Sequence, residues 1–121
     1  MPARSLVPRL MDMVEAIERV REVTGSVSLD EFEKDWTKRW LVERGVEIVS
    51  EASRHLPDDL KARHGAIPWR KVAGIGNVLR HAYEHVAADI LWKLARDDLT
   101  PLDAVCRLEL ARARADEQGS T

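Results

Sequence analysis

The polar residues that could do chemistry in this chain lie close together, between Asn77 and His85. Asn77 and His81 are four residues apart, so on a continuous helix their side chains share one face. Arg80 adjoins His81 and carries a planar, permanently charged guanidinium that suits phosphate oxygens. A histidine can give or take a proton near neutral pH. Together these groups provide what metal-independent cleavage of RNA requires, although an Arg–His pair is also typical of an ordinary helix end.

The same segment admits a second chemical interpretation. His81, Glu84 and His85 fit the pattern H-x-x-E-H of one class of zinc peptidase, in which two histidines four residues apart bind one ion. Those enzymes need a third ligand, for which the chain offers Glu109 or Glu117. We expect the match to be coincidental, because the domain is too small for a substrate cleft, and we predict no bound metal.

Two glycines, Gly74 and Gly76, stand inside the helical pattern that precedes the reactive residues. A glycine in a helix interior costs about 1 kcal/mol relative to alanine. We therefore expect a surface where another backbone or a ligand comes close. Pro68 favours a helix start, and the pattern runs to about His81 or later.

Positive charge is concentrated in the same region. From Leu60 to Tyr83 the chain has no Asp or Glu and five basic residues: Lys61, Arg63, Arg70, Lys71 and Arg80. This basic strip could hold a phosphate backbone. Runs of charge are equally typical of a solvated helix face.

The remaining patterns predict helices that position this segment. Apolar residues recur at helical spacing from Leu6 to about Gly25. Ser28 and Glu31 form a capping box that opens a stretch reaching about Leu56, with a break near Trp36. Further signals follow: a short helix from Pro57 to Gly65, another around Ile90–Leu94 that stops near Asp97, and a cap at Thr100–Asp103 for the last helix.

No segment alternates apolar and polar residues for long enough to be a strand. We predict an all-α protein, an antiparallel bundle of four or five helices that forms one domain over residues 1–121. We expect the polar tail from about 115 to 121 to fray.

Composition limits the class of protein. The net charge of −2 argues against binding nucleic acid through bulk charge. A single cysteine, Cys106, cannot form an internal disulfide and fits a reducing cytoplasm. No run suggests a signal peptide or a membrane span.

Other polar and aromatic residues admit two interpretations each. Arg44, Glu47 and Glu51 share a helix face, which is either an ordinary solvated face or a support for Arg80 or His81. Trp69 and Trp92 are expected to anchor the core, Trp36 and Trp40 to lie in the core or in a dimer contact, and Cys106 to be a small core residue.

The run Ile67-Pro-Trp-Arg-x-x-Ala-Gly-x-x-Asn77-x-Leu-x-His81-x-Tyr83 resembles the HepT-like family of HEPN-domain proteins. Arg44-x-x-Glu47-x-x-x-Glu51 upstream, and Trp92 with Asp98-Leu99-x-Pro101-Leu102 downstream, extend the resemblance along nearly the whole chain. Members of this family are toxins of type VII-like toxin–antitoxin modules, whose other half is a minimal nucleotidyltransferase.

The resemblance implies an antiparallel helical bundle that forms a homodimer, with the motif helices of two copies lining a shared groove. Gly74 and Gly76 would then be positions of close approach. It implies RNA cleavage through an Arg-x4–6-His motif, without a metal or other cofactor. It also implies that the nucleotidyltransferase uses ATP to attach AMP to Tyr83, the tyrosine two residues after the histidine, and so silences the toxin.

One residue departs from the family pattern. Where the family usually has an arginine directly before the asparagine, this chain has Gly76. We predict that Arg80 replaces that arginine and acts with His81 and Asn77. Arg80 and His85 also satisfy Arg-x4-His, which makes His85 an alternative catalytic residue. The competing hypothesis is a catalytically inactive dimer that serves as binding partner and substrate of the nucleotidyltransferase.

Overall fold

A computed structural model of the protein describes residues 4–81 and 84–119, and of residues 84–86 only the backbone. Within these ranges the chain forms seven α-helices and no strand: α1 (Val7–Gly25), α2 (Leu29–Lys34), α3 (Trp36–Arg54), α4 (Asp58–Arg63), α5 (Trp69–Arg80), α6 (Glu84–Lys93) and α7 (Leu99–Gly119). A π-helical turn, Leu94–Asp98, joins α6 to α7. The all-α prediction is confirmed. None of the described helices has the length and apolar character to cross a lipid bilayer.

The predicted starts of α2 and α3 are confirmed. Ser28 Oγ accepts a hydrogen bond from the Glu31 N–H at 3.1 Å, while the Glu31 carboxylate accepts from the Ser28 N–H. The break near Trp36 falls at Asp35, which accepts from the Lys38 N–H at 3.2 Å and so caps α3. Hydrogen bonds from Thr37 and Lys38 lower the pKa of Asp35 to about 2.

The predicted boundaries in the last third of the chain are wrong. The π-helical turn carries the helix through Asp97 and Asp98, so α7 begins at Leu99 and Thr100 is not its cap. The tail that we expected to fray from about residue 115 is helical as far as Gly119, and its side chains there are exposed.

The core forms where α1 packs against α3 and α7. α1 and α7 are antiparallel, because the end of α1 meets the start of α7: Arg21 lies 3.4 Å from Asp103. At the other end Ser5 donates a hydrogen bond to Glu117. The four- to five-helix prediction holds if α6, the π-helical turn and α7 are taken as one rod and the short α2 and α4 are set aside.

The predicted core residues differ in their placement. Trp69 and Trp92 are partly buried against the core, as predicted, and the Trp92 ring lies 5.7 Å from that of Phe32. Cys106 is fully buried, and burial raises the pKa of its thiol to about 12. Trp36 and Trp40 lie outside the core of this chain, with 55% and 67% of their surface exposed.

α1 and α3 pack closely at a glycine that sequence analysis did not single out. A Cβ added to Gly45 of α3 would lie 2.4 Å from Val20 Cγ2 of α1 and 3.5 Å from the Ala16 carbonyl oxygen. Only a residue without a side chain allows the two helices to approach so closely.

We therefore predict that Gly45→Ala destabilises the fold. Overpacking costs about 1–3 kcal/mol and alanine recovers about 1 kcal/mol of helix propensity, so the net loss is up to about 2 kcal/mol. Urea unfolding followed by circular dichroism measures it. Gly25→Ala, at the exposed end of α1, is the control: no described atom lies within 4 Å of a Cβ there, and we expect a gain of up to about 1 kcal/mol. Equal shifts in the two variants would contradict this account.

Candidate functional site

The three predicted catalytic residues lie together at the carboxyl end of α5. The helix ends at Arg80, and His81 is its cap residue, with its N–H donating to the Val78 carbonyl at 3.3 Å. Asn77, Arg80 and His81 are all exposed. Among the described residues no hydrogen bond or ion pair engages their side chains. A cation at this position is favoured by the unpaired carbonyls of the helix end.

The Arg80 side chain runs back along α5 over Gly76. Its Nη1 lies 3.9 Å from the point where a Cβ of Gly76 would be. The guanidinium therefore occupies the space beside position 76, where the family usually has an arginine. The guanidinium fits there because Gly76 has no side chain.

Within the described residues, no atom lies within 4 Å of a Cβ at Gly74, and Arg80 Nη1 alone, at 3.9 Å, approaches that of the buried Gly76. The described part of the chain therefore shows no close helix approach at either glycine. Such an approach stays a prediction for a second molecule.

The middle of α5 is held by side chains of α3. The Ala73 carbonyl accepts hydrogen bonds from Ser50 Oγ at 2.9 Å and from Arg54 Nη2 at 2.7 Å and Nε at 3.2 Å. In an α-helix the same carbonyl also accepts from the N–H four residues later, that of Asn77. Two α3 side chains thus grip the backbone one turn before the reactive residues.

Arg44, Glu47 and Glu51, the predicted support residues, form no described hydrogen bond or ion pair with Arg80 or His81. Arg44 and Glu47 form an ion pair at 3.6 Å between exposed side chains, which is worth little. Glu51 lies 3.0 Å from Arg54 and 3.2 Å from His55. The hydrogen bond from His55 and the charge of Arg54 lower the pKa of Glu51. Glu51 thus reaches α5 through Arg54 alone in the described part of the chain.

The start of α5 is held by the turn that follows α4. Trp69 Nε1 donates to the carbonyls of Lys61 and His64, each at 3.1 Å. His64 Nε2 in turn lies 2.6 Å from Glu109 Oε2, and Arg63 donates to Glu109 Oε1 at 2.8 Å. This cluster ties the turn before α5 to α7.

Glu109 is almost fully buried, with 2% of its side chain exposed. Burial raises its pKa, but the hydrogen bonds from Arg63 and His64 and the charges of Arg63 and Arg112 outweigh burial and lower it. The hydrogen bond to Glu109 likewise raises the pKa of Arg63. Arg63 is therefore not a free member of the predicted basic strip. Arg70, Lys71 and Arg80 remain exposed on α5.

The zinc interpretation requires His81 and His85 to lie one turn apart on the same helix, and the helix boundaries do not allow this. α5 ends at Arg80 and α6 begins at Glu84, so His81 and His85 do not share a helix. Glu109, one proposed third ligand, is occupied by Arg63 and His64. No cluster suited to a metal ion occurs among the described residues. Tyr83 and the side chain of His85 lie outside the described part, so their predicted roles stay predictions.

Sequence reasoning missed the role of Glu109, although a signal was present. The buried positions of α7 follow a helical spacing through Leu102, Cys106 and Leu110, and Glu109 falls on the same face. A carboxylate on a core-facing position requires a cationic partner. Arg63 and His64, at the end of the predicted short helix from Pro57 to Gly65, could have been proposed as its cationic partners.

Comparison with known proteins identifies relatives of this architecture. Residues 13–108 match the family model described as "Ribonuclease HepT-like". A "Probable ribonuclease HepT" of Thermococcus cleftensis is 38% identical over 82% of this chain and 90% of the relative. A protein of Methanocaldococcus jannaschii named as a candidate RNase is 31% identical over 82% of this chain and 91% of the relative. No solved structure matches the chain significantly.

The cluster that anchors α5 predicts an acid-dependent loss of stability. At pH 7, Glu109→Gln should lower the free energy of unfolding by about 1–3 kcal/mol, because charge-assisted hydrogen bonds are lost. The fold lowers the pKa of Glu109 from its ordinary value of 4.5. The carboxylate therefore stabilises the fold fully above pH 4.5, and this contribution disappears as the pH falls through the lowered pKa. The deficit should therefore vanish in strong acid. Urea titrations between pH 7 and pH 2.5 measure it.

Asp59→Asn is the matched control. Asp59 is 78% exposed and lies 3.5 Å from the same Arg63. We expect less than about 0.5 kcal/mol from its removal. A Glu109→Gln deficit that does not change with pH, or that equals the control, would contradict the assignment.

Proposed function

This chain belongs to the ribonuclease HepT-like family, and we propose that it cleaves RNA at the carboxyl end of α5. The observation that carries the proposal is the pairing of Arg80 and His81, which are adjacent, exposed and without a side-chain partner among the described residues. Because no described residue binds this guanidinium or this imidazole, both are available to a ligand.

The proposed mechanism needs no metal. His81 accepts the proton of a 2′-hydroxyl, and the 2′-oxygen attacks phosphorus. The bond to the 5′-oxygen breaks, leaving a 2′,3′-cyclic phosphate and a 5′-hydroxyl that takes up a proton. Arg80 binds the phosphate and stabilises the charge that develops on it, and Asn77 orients one of these groups. His85 would replace His81 if the Arg-x4-His spacing of Arg80 and His85 is the operative one.

We further propose that the active form is a homodimer in which two α5 helices line one groove. The space beside Gly74 supports this: no described atom of the chain occupies it within 4 Å, and a second molecule there would account for a glycine inside the helix. Two copies would bring two Arg80–His81 pairs to the same bound strand.

For regulation we propose that a nucleotidyltransferase partner transfers AMP from ATP to Tyr83. The end of α5 at Arg80 supports this, since residues two apart on a helix point in different directions and a helix end removes that restriction. An anionic adduct two residues from His81 would compete with RNA for Arg80. The module would act as a toxin with its antitoxin. The lone buried thiol of Cys106 fits the cytoplasm as its place of action.

The first test is cleavage of labelled single-stranded RNA in excess EDTA. Wild-type protein should cut, and Arg80→Ala or His81→Ala should each lower the rate about 10²- to 10⁴-fold, as expected for loss of a charge-stabilising group or a proton-transfer group. Arg19→Ala removes an exposed arginine from α1 and should leave the rate unchanged. Equal cutting by wild type and the double variant at residues 80 and 81 would refute the catalytic assignment.

The second test separates the toxin from the inactive binding partner, the alternative that Gly76 favours. Intact mass after incubation with the nucleotidyltransferase and ATP should increase by one or more AMP units, and Tyr83→Phe should abolish the increase. In the toxin, addition of AMP stops RNA cleavage and relieves growth arrest. A chain that accepts AMP yet never cuts RNA or slows growth is the inactive partner.

A further inference from the structure

A small hollow lies next to the reactive end of α5. Its walls are Arg39, Trp40 and Glu43 of α3, Leu79 of α5, and Leu91 with two alanines of α6. Its volume is about 230 Å³, compared with about 150 Å³ for a protein cavity that binds benzene. This is the size of one planar heterocycle, and too small for a helix of a partner protein.

The hollow has a ring on one side. Trp40 is 67% exposed, and its ring packs nearly perpendicular to that of Trp36, with the two ring centroids 5.0 Å apart. An indole held in this way is a platform on which a nucleic acid base can stack.

It also has a carboxylate without a partner. Glu43 is half-buried in the wall, and no hydrogen bond or ion pair involves it among the described residues. A partly buried carboxylate is stabilised by N–H donors of a ligand.

Position links the hollow to the chemistry. Leu79 forms part of its wall and directly precedes Arg80. Consecutive Cα atoms are about 3.8 Å apart, so a nucleotide whose phosphate binds Arg80 would lie within reach of the hollow. The chemistry suits a nucleotide: the Arg80 cation can bind phosphate, and Glu43 can accept hydrogen bonds from a base in a wall that also contains the Arg39 cation.

We propose that this hollow, formed around Trp40 and Glu43, binds a guanine base of single-stranded RNA next to the cleaved bond. Guanine presents two adjacent donors, N1–H and the N2 amino group, that match the two oxygens of a carboxylate. Adenine and cytosine place a ring-nitrogen acceptor beside their amino group, and uracil flanks its single N–H with two acceptors, so a carboxylate repels part of each edge. In a duplex these edges are already paired, which restricts the site to unpaired bases.

The inference rests on the proposed ribonuclease function, so its test uses binding as well as cleavage. The probes are fluorescent 2′-O-methyl oligouridylates, which cannot be cut by 2′-oxygen attack, with one central guanine, inosine or adenine. Anisotropy titrations at fixed salt should give at least about tenfold tighter binding for guanine than for adenine, with inosine, which lacks the N2 amino group, between them.

Substitutions assign the preference to residues. Glu43→Gln should bring the guanine-to-adenine ratio close to one. Trp40→Ala should weaken binding of every probe about 5- to 150-fold, and Trp40→Phe should restore most of it. Leu41→Ala is the matched control, since Leu41 is 60% exposed on α3 beside Trp40 and does not line the hollow. It should change neither quantity.

Each alternative has a distinct result. A guanine preference that survives Glu43→Gln overturns the inference. So does a loss of dimer mass in light scattering for both Trp40→Ala and Leu41→Ala, which would make the tryptophan surface a contact between copies. Cutting without base preference leaves the ribonuclease proposal standing and overturns this one. Guanine preference that Glu43→Gln abolishes, without any cutting, would overturn the ribonuclease proposal and leave the hollow as a base-binding site alone.

Discussion

The Ala73 carbonyl, with donors from Ser50 and Arg54 of α3, is the contact on which the arrangement of the site depends. Together with the Trp69 indole in the turn after α4, it fixes α5 by its backbone and its first residue. Neither anchor uses the last turn of the helix. Arg80 and His81 are therefore positioned by the chain that carries them, and their own polar atoms stay available to solvent or a ligand.

The basic residues around α5 serve two different purposes. Arg54, Arg63 and His64 are consumed by structural acceptors, the Ala73 carbonyl and the buried Glu109. Within the basic strip predicted from the sequence, Arg63 thus holds the fold, whereas Arg70, Lys71 and Arg80 remain exposed. The net charge of the chain is slightly negative, so binding of a polyanion would depend on these few exposed cations.

Local signals were sufficient to predict much of the fold. The capping box at Ser28, the break before Trp36 and Pro68 ahead of α5 each act through their nearest backbone groups, so sequence alone locates them. The prediction failed where distant packing decides. Thr100 has the chemistry of a cap but follows a helix that does not stop, because a π-helical turn carries the helix from α6 into α7.

For the site, sequence indicated the residues but not their surroundings. It placed Asn77, Arg80 and His81 together because they are neighbours, and it suggested that Arg80 replaces a missing arginine; the direction of that side chain over Gly76 needed coordinates. For Trp40 the sequence left both a core position and a dimer contact open, and the structure shows that it is exposed whereas Trp69 is partly buried. Which helix covers an indole is a tertiary property that periodicity does not contain.

The π-helical turn at Leu94–Asp98 makes the rod from α6 to α7 sensitive to length. A π-helical turn contains one residue more than an α-helical turn, so it resets the angular phase of the helix on either side by about 100°. Ala87, Ala88 and Leu91 of α6 line the hollow together with residues of α3 and α5. The π-helical turn sets the angle between these side chains and the buried face of α7. In this rod a one-residue deletion is a graver change than most substitutions, since it would rotate α6 away from its neighbours while α7 stayed in place.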